Sequence, residues 1–153
     1  KWKEKNFPAY LLLFLLFLSK PGLQQEHLQA QQKYPRNYQQ FFQLGESIKK
    51  YTPENTIVCS RKPQMLYLYS QRPGVNYLFT KDAKALITDL AKKNVDFVIL
   101  DALGYSSTYH YLFPAVQQYP HLFPKIVAHY EDTNTYLLTF DKAAAKKELH
   151  IND

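Results

Sequence analysis

Read for polar and apolar positions, the chain changes texture three times. Lysines at 1, 3 and 5 precede an apolar run, Phe7 to Leu18, which gives way to a glutamine-rich stretch. A compact alternation of helical and strand patterns then runs to the end. Tyr38, Phe41, Phe42 and Ile48 recur at helical spacing and predict an amphipathic helix over Asn37–Tyr51, stopped by Thr52-Pro53-Glu54-Asn55. The β-branched run Thr56–Ser60 predicts a buried strand. Pro63 suits the first turn of a helix reaching about Tyr69. After the Arg72-Pro73-Gly74 turn, Val75–Phe79 reads as a second strand. In Ala83–Asn94, Leu86, Ile87, Leu90 and Ala91 line one apolar helical face.

Val95–Asp101 is the clearest strand, apolar almost throughout and closed by an acid. Such runs are buried on both faces, as in a parallel sheet covered by helices. Ser107–Tyr119 reads as a helix with Pro114 as a kink or break. Lys125–Glu131 and Thr135–Phe140 form a hairpin around Asp132-Thr133-Asn134, and Lys142–His150 a last charged helix. The predicted fold is α/β: a three-layer sandwich with a mostly parallel central sheet, a C-terminal antiparallel hairpin, and a short apolar helix in front. Thr56–Ser60 and Val95–Leu100 are expected side by side and parallel, joined by a right-handed crossover.

Domain organisation follows the textures. Residues 1–22 read as the terminal part of a transmembrane helix or a short anchor, 23–36 as a polar stalk, and 37–153 as one globular domain. The apolar run is about half of the roughly twenty residues a full span needs. It could also be a signal-peptide core, although Ser19-Lys20-Pro21-Gly22 offers no small-residue cleavage site. A buried core segment fits less well, because Leu11–Leu18 has no polar face. Lysines ahead of the run predict that this side stays in the cytoplasm and that the domain emerges outside.

Composition narrows the chemistry. The 153 residues carry a formal charge of +6, yet the basic residues are dispersed among acids. No basic stripe marks a nucleic-acid binder, and a domain beside anionic lipid or a phosphate-bearing substrate suits the balance better. The 13 tyrosines and 10 phenylalanines can fill a small core. The single Cys59 excludes an internal disulfide, and the histidines lack metal-ligand spacing, so no metal is expected. No glycine-rich phosphate loop is present and no cofactor is expected.

Candidate binding residues remain. Arg61 and Lys62 sit where the first strand passes into a helix, a place that attracts anions. Asp101 ends the strongest strand, as a ligand, a general base, or a turn cap. Arg72 is a candidate partner for such an acid. Tyr105, with Tyr109 and Tyr111, reads as packing or as an aromatic shelf for carbohydrate. No nucleophile elbow or carboxylate pair is evident, so no catalytic residue is assigned.

The order of these segments resembles a known family. Val58-Cys59-Ser60-Arg61-Lys62-Pro63, then Leu66–Arg72, then Val95–Asp101, followed by Pro114, Phe123 and Thr135-Tyr136-Leu137-Leu138, resemble the C-terminal extracytoplasmic domain of bacterial membrane glycosyltransferases related to protein O-mannosyltransferases and aminoarabinose transferases. The resemblance covers about Asn37 to Asp141. It implies an accessory domain packing over the membrane portion of an enzyme that moves sugar from a polyprenyl-phosphate carrier to an acceptor, at the periplasmic face of the inner membrane. The family's catalytic acid lies in an early extracytoplasmic loop with no counterpart here, so none carries over. The alternative is a membrane-anchored module that recognises envelope glycan or a protein partner. A small soluble α/β enzyme is disfavoured for want of a catalytic set.

Overall fold

The computed structural model describes residues Tyr34–Ile151. The apolar head expected at 1–22, and all but the last residues of the stalk, lie outside them. No helix among the described residues is long and apolar enough to cross a membrane.

Helix α1 spans Arg36–Tyr51 and buries Phe41, Leu44, Gly45 and Ile48, the three-and-four spacing of one helical face. Thr52 ends it: its backbone N–H and its hydroxyl both donate to the Ile48 carbonyl, at 3.0 and 2.6 Å. Strand β1 (Val58–Cys59) leads into α2 (Pro63–Ser70), then β2 (Gly74–Val75), α3 (Ala83–Lys92) and β3 (Phe97–Leu100). Asp82 caps α3 by accepting the Ala85 N–H at 3.1 Å. A π turn over Thr108–Leu112 runs into α4 (Phe113–Gln118), and a 3₁₀ turn over Pro120–Leu122 follows. The hairpin of β4 (Ile126–Tyr130) and β5 (Thr135–Thr139) precedes α5 (Lys142–Glu148), which Asp141 caps.

These elements form a mixed α/β domain around a five-stranded sheet, with five α-helices among the described residues. The strand order is β2-β1-β3-β5-β4. As expected, β1 and β3 are parallel neighbours, Cys59 opposite Val98. The sheet is mixed rather than mostly parallel. β2–β1 and β1–β3 are parallel, while β3–β5 and β5–β4 are antiparallel. The hairpin attaches directly to the hydrophobic strand β3, not to the far edge, so antiparallel pairing accounts for half of the sheet.

Alternation along the strands sorts the core. Val58, Ile99 and Leu137 pack with Phe41, Leu44, Ile48 and Leu66 of α1 and α2. Cys59, Val98 and Leu138 pack with Leu86, Ile87 and Leu90 of α3 and with Leu112 and Ala115 beyond. Gly45 allows α1 and α2 to approach closely, since a Cβ there would stand 2.7 Å from the Cβ of Tyr69.

All five strands are shorter than the pattern predicts, Val95–Asp101 narrowing to Phe97–Leu100, and the two before it shrink most. The expected strand Thr56–Ser60 narrows to Val58–Cys59, although the Ser60 N–H still bonds the Val75 carbonyl at 3.0 Å. The expected strand Val75–Phe79 shifts to Gly74–Val75. Beyond it the chain leaves the sheet, because Tyr77 is buried to hydrogen-bond Ser107 and Thr108. The irregularity expected at Pro114 takes a definite form. Proline has no N–H for an i−4 bond, and the helix widens just ahead of it, with the Phe113 N–H bonded to the Thr108 carbonyl five residues back.

Candidate functional site

Parallel pairing of β1 with β3 brings their carboxyl ends together, and this sets Ser60, Arg61 and Lys62 beside the segment that begins at Asp101. That edge is where open α/β sheets collect ligands. The Arg61 Nε donates to the Ser107 hydroxyl at 2.8 Å. Its guanidinium lies 4.7 Å from the Phe79 ring centre and 5.0 Å from that of Tyr105. Lys62 Nζ sits 4.5 Å from the same Tyr105 ring. Both cations are therefore presented on aromatic faces, contacts worth about 0.5–1 kcal/mol each at exposed positions. The hydrogen bond from Lys62 is the main reason the Tyr105 hydroxyl titrates below its ordinary range. Tyr38, from α1, is shifted the other way, by burial and then by Tyr105.

Two buried polar atoms at this edge have no hydrogen-bond partner among the described residues: the Ser60 hydroxyl and Asp101 Oδ2. Asp101 is 2% exposed. Its Oδ1 accepts the Leu103 N–H at 3.3 Å, the two-residue turn an aspartate makes on its own backbone. Burial raises its pKa, while the amides of Leu103 and Arg61 and the charge of Arg61 pull it down. Asp101 also lines a cavity of about 230 Å³ together with Thr108, Tyr109, Phe113, Asn134 and Tyr136. The Tyr77 hydroxyl lies 3.2 Å from both Ser107 and Thr108 and braces the loop that carries them.

Of the five residues singled out in the sequence, Arg61, Lys62, Tyr105 and Asp101 share this edge. Arg72 does not, and it makes no pair with Asp101. It is buried where α1 ends, its Nη2 donating to the carbonyls of Lys49 at 2.8 Å and Thr52 at 2.7 Å. Its Nη1 reaches the Gln71 carbonyl at 3.3 Å. That is the work of a helix C-cap, and the fixed fork of guanidinium donors suits it.

The residues the sequence left unremarked are the braces: Tyr77 and Phe79 in an apparent strand, and Ser107 at a helix start. Only the adjacency of β1 and β3 could have drawn attention to Ser107, which takes the Arg61 bond. No group of three or more His, Cys, Asp or Glu among the described residues could hold a metal ion. Cys59 is buried, and burial pushes its thiol far above its ordinary pKa, so it is a packing residue rather than a nucleophile.

Comparison with family models, curated proteins and solved structures finds no match for this chain. What the chain does is therefore read from its own residues.

Proposed function

We propose that this chain is the accessory, non-catalytic domain of a polyprenyl-phosphate-sugar-dependent membrane glycosyltransferase. In this reading it is a three-layer α/β sandwich on the periplasmic side of a bacterial inner membrane, held there by the apolar segment Phe7–Leu18. Its partner is the membrane portion of the enzyme.

The observation that carries the reading is the convergence of Arg61 and Lys62 on Tyr105 at the carboxyl edge of two parallel strands. Two cations leading into the N-terminus of α2 suit the phosphate of a lipid carrier. Aromatic faces beside them suit the sugar or prenyl group joined to that phosphate. Among the described residues the site has no nucleophile paired with a base and no second carboxylate acting on Asp101, which suits positioning rather than chemistry.

The test uses the full chain in nanodiscs with a short-chain polyprenyl-phosphate sugar. The natural sequence should bind, and Arg61→Gln with Lys62→Gln should weaken binding at least about tenfold, the loss expected for even one charge-assisted contact with a phosphate. Unchanged binding by the double variant would sink the phosphate assignment. Sugar transfer by the chain alone, abolished by Asp101→Asn, would overturn the non-catalytic role. External protease on intact spheroplasts should cleave the domain, and protection until lysis refutes the orientation.

A second reading, a module that holds envelope glycan, draws on the exposure of Phe79 and Tyr109, 48% and 52%, near the same edge. It predicts binding to glycan that lacks phosphate and an unaltered affinity in the Arg61→Gln, Lys62→Gln variant.

A further inference from the structure

A groove of about 410 Å³ runs between α1 and the hairpin, at the opposite end of β3 from Asp101. That volume lies within the roughly 300–1,000 Å³ of small-molecule sites. Leu44 and Ile48 line it from α1, and Phe97, Leu137 and Ala128 from the adjoining strands β3, β5 and β4. The edge strand β4 is irregular here, its register on β5 shifting between Ile126 and Ala128. Neighbours on a regular strand point to opposite faces, yet the consecutive residues Val127 and Ala128 both line the groove. Re-aiming a side chain in this way is what a bulge does, and bulges are common beside active sites.

The polar groups around the groove are few and mostly engaged. The Thr52 hydroxyl donates to the Ile48 carbonyl, and the Thr139 hydroxyl accepts the Lys125 N–H. Strand β5 lies between β3 and β4 and spends its backbone groups on both. A peptide would find few partners here for its amides, and an amide buried without one is costly. Lys125 is exposed, and none of the described ion pairs includes it. No acidic residue among the described ones lines the groove. Carbon walls with a cation at the lip suit an alkyl chain that ends in an anion. A phosphate monoester carries a charge of about −1.5 to −2 at pH 7, more than one ammonium balances, whereas a carboxylate is matched by it.

We propose that this groove binds a straight-chain alkyl carboxylate, with the chain between α1 and β4 and the head beside the Lys125 ammonium. From Leu44 to Tyr51 the helix covers roughly 10 Å at about 1.5 Å per residue, which suits a chain of medium length. The groove is remote from Arg61 and Lys62, at the other end of the parallel strands, and the proposal does not depend on the lipid-linked-sugar reading.

The test titrates the ¹⁵N-labelled full chain with octanoate, below the concentration at which it forms micelles, and follows backbone amide shifts. Saturable shifts should appear at Leu44, Ile48, Val127, Ala128 and Leu137. Octylammonium, which has the same chain and the opposite charge, should bind about tenfold more weakly, since repulsion replaces attraction. Acetate, a carboxylate without the chain, should give no saturable shift at these residues. Lys125→Gln should weaken octanoate binding about threefold, as for other exposed ion pairs. Val127→Glu, at an exposed position of the edge strand, sets an acid at the groove and should weaken it about tenfold. Octylammonium or acetate binding as well as octanoate, unaltered binding by either variant, or shifts located elsewhere would overturn the proposal.

Discussion

Arg72 offers the sharpest separation of a structural role from a binding one, through the substitution Arg72→Met. Methionine keeps the stem and most of the volume but removes every donor. Two short bonds from Nη2, 2.8 Å to the Lys49 carbonyl and 2.7 Å to the Thr52 carbonyl, would be lost together. Hydrogen bonds from a charged donor are worth about 1.5–3 kcal/mol each. The two share one nitrogen and part of their cost is regained as side-chain freedom, so a net loss of about 3–4 kcal/mol is expected. For a domain of this size, at about 4 °C per kcal/mol, the melting temperature should fall by roughly 10–15 °C. Arg72→Lys should lose about half as much, since an ammonium can serve one carbonyl well but not the fork of contacts. Thermal and urea unfolding of the three proteins measure this, alongside binding of the polyprenyl-phosphate sugar at a temperature where all are folded. A melting point for Arg72→Met within about 3 °C of the natural sequence, or a loss of ligand affinity with no loss of stability, refutes the cap assignment.

Two other substitutions probe the interior. Burial raises the pKa of Asp101 in the folded chain above its unfolded value near 3.9, so the folded state binds the proton more tightly and stability falls as pH rises through that window. Asp101→Asn removes this penalty, and urea titrations should find the variant more stable than the natural sequence at neutral pH, with the gain vanishing in acid; a variant weaker at neutral pH shows instead that the carboxylate is well satisfied. Gly45→Ala sets a methyl 2.7 Å from the Tyr69 Cβ. Overpacking of about 1–3 kcal/mol should outweigh the helix-propensity gain of about 1 kcal/mol, and a raised melting temperature would mean that α1 and α2 lie farther apart.

The elements most legible in the sequence are those whose pattern and environment agree. Val98, Ile99 and Leu100 are buried on both faces of the sheet, so a continuous apolar run was the right signal. The face of Leu86, Ile87, Leu90 and Ala91 is the buried face of α3. Val75–Phe79 misled because aromatic and β-branched residues were used for something other than pairing: Tyr77 braces a loop, and Leu78 and Phe79 stay exposed. The candidate edge was partly legible, since neighbouring parallel strands put Arg61 and Asp101 at the same end. Arg72 was not, because a C-cap made from another element depends on where α1 stops relative to the turn at Gln71–Pro73. The cavity was beyond reach for a similar reason. It joins the end of β3, a π turn and the hairpin turn at Asn134, which are adjacent only after β5 has docked.

That docking has a consequence for how the domain is made. β3 takes β1 on one side, but on the other it takes β5, with Phe97 opposite Thr139 and Leu100 opposite Tyr136. Until the hairpin has emerged from the ribosome and folded back, the most hydrophobic strand of the domain has a bare row of amides and carbonyls. An open apolar edge of that kind templates pairing between chains, and pairing across so long a loop is slow to form. A nascent or truncated chain that stops before Thr135 is thus the species most prone to aggregate, and the last strand to arrive doubles as the cover that protects the strand at the middle of the sheet.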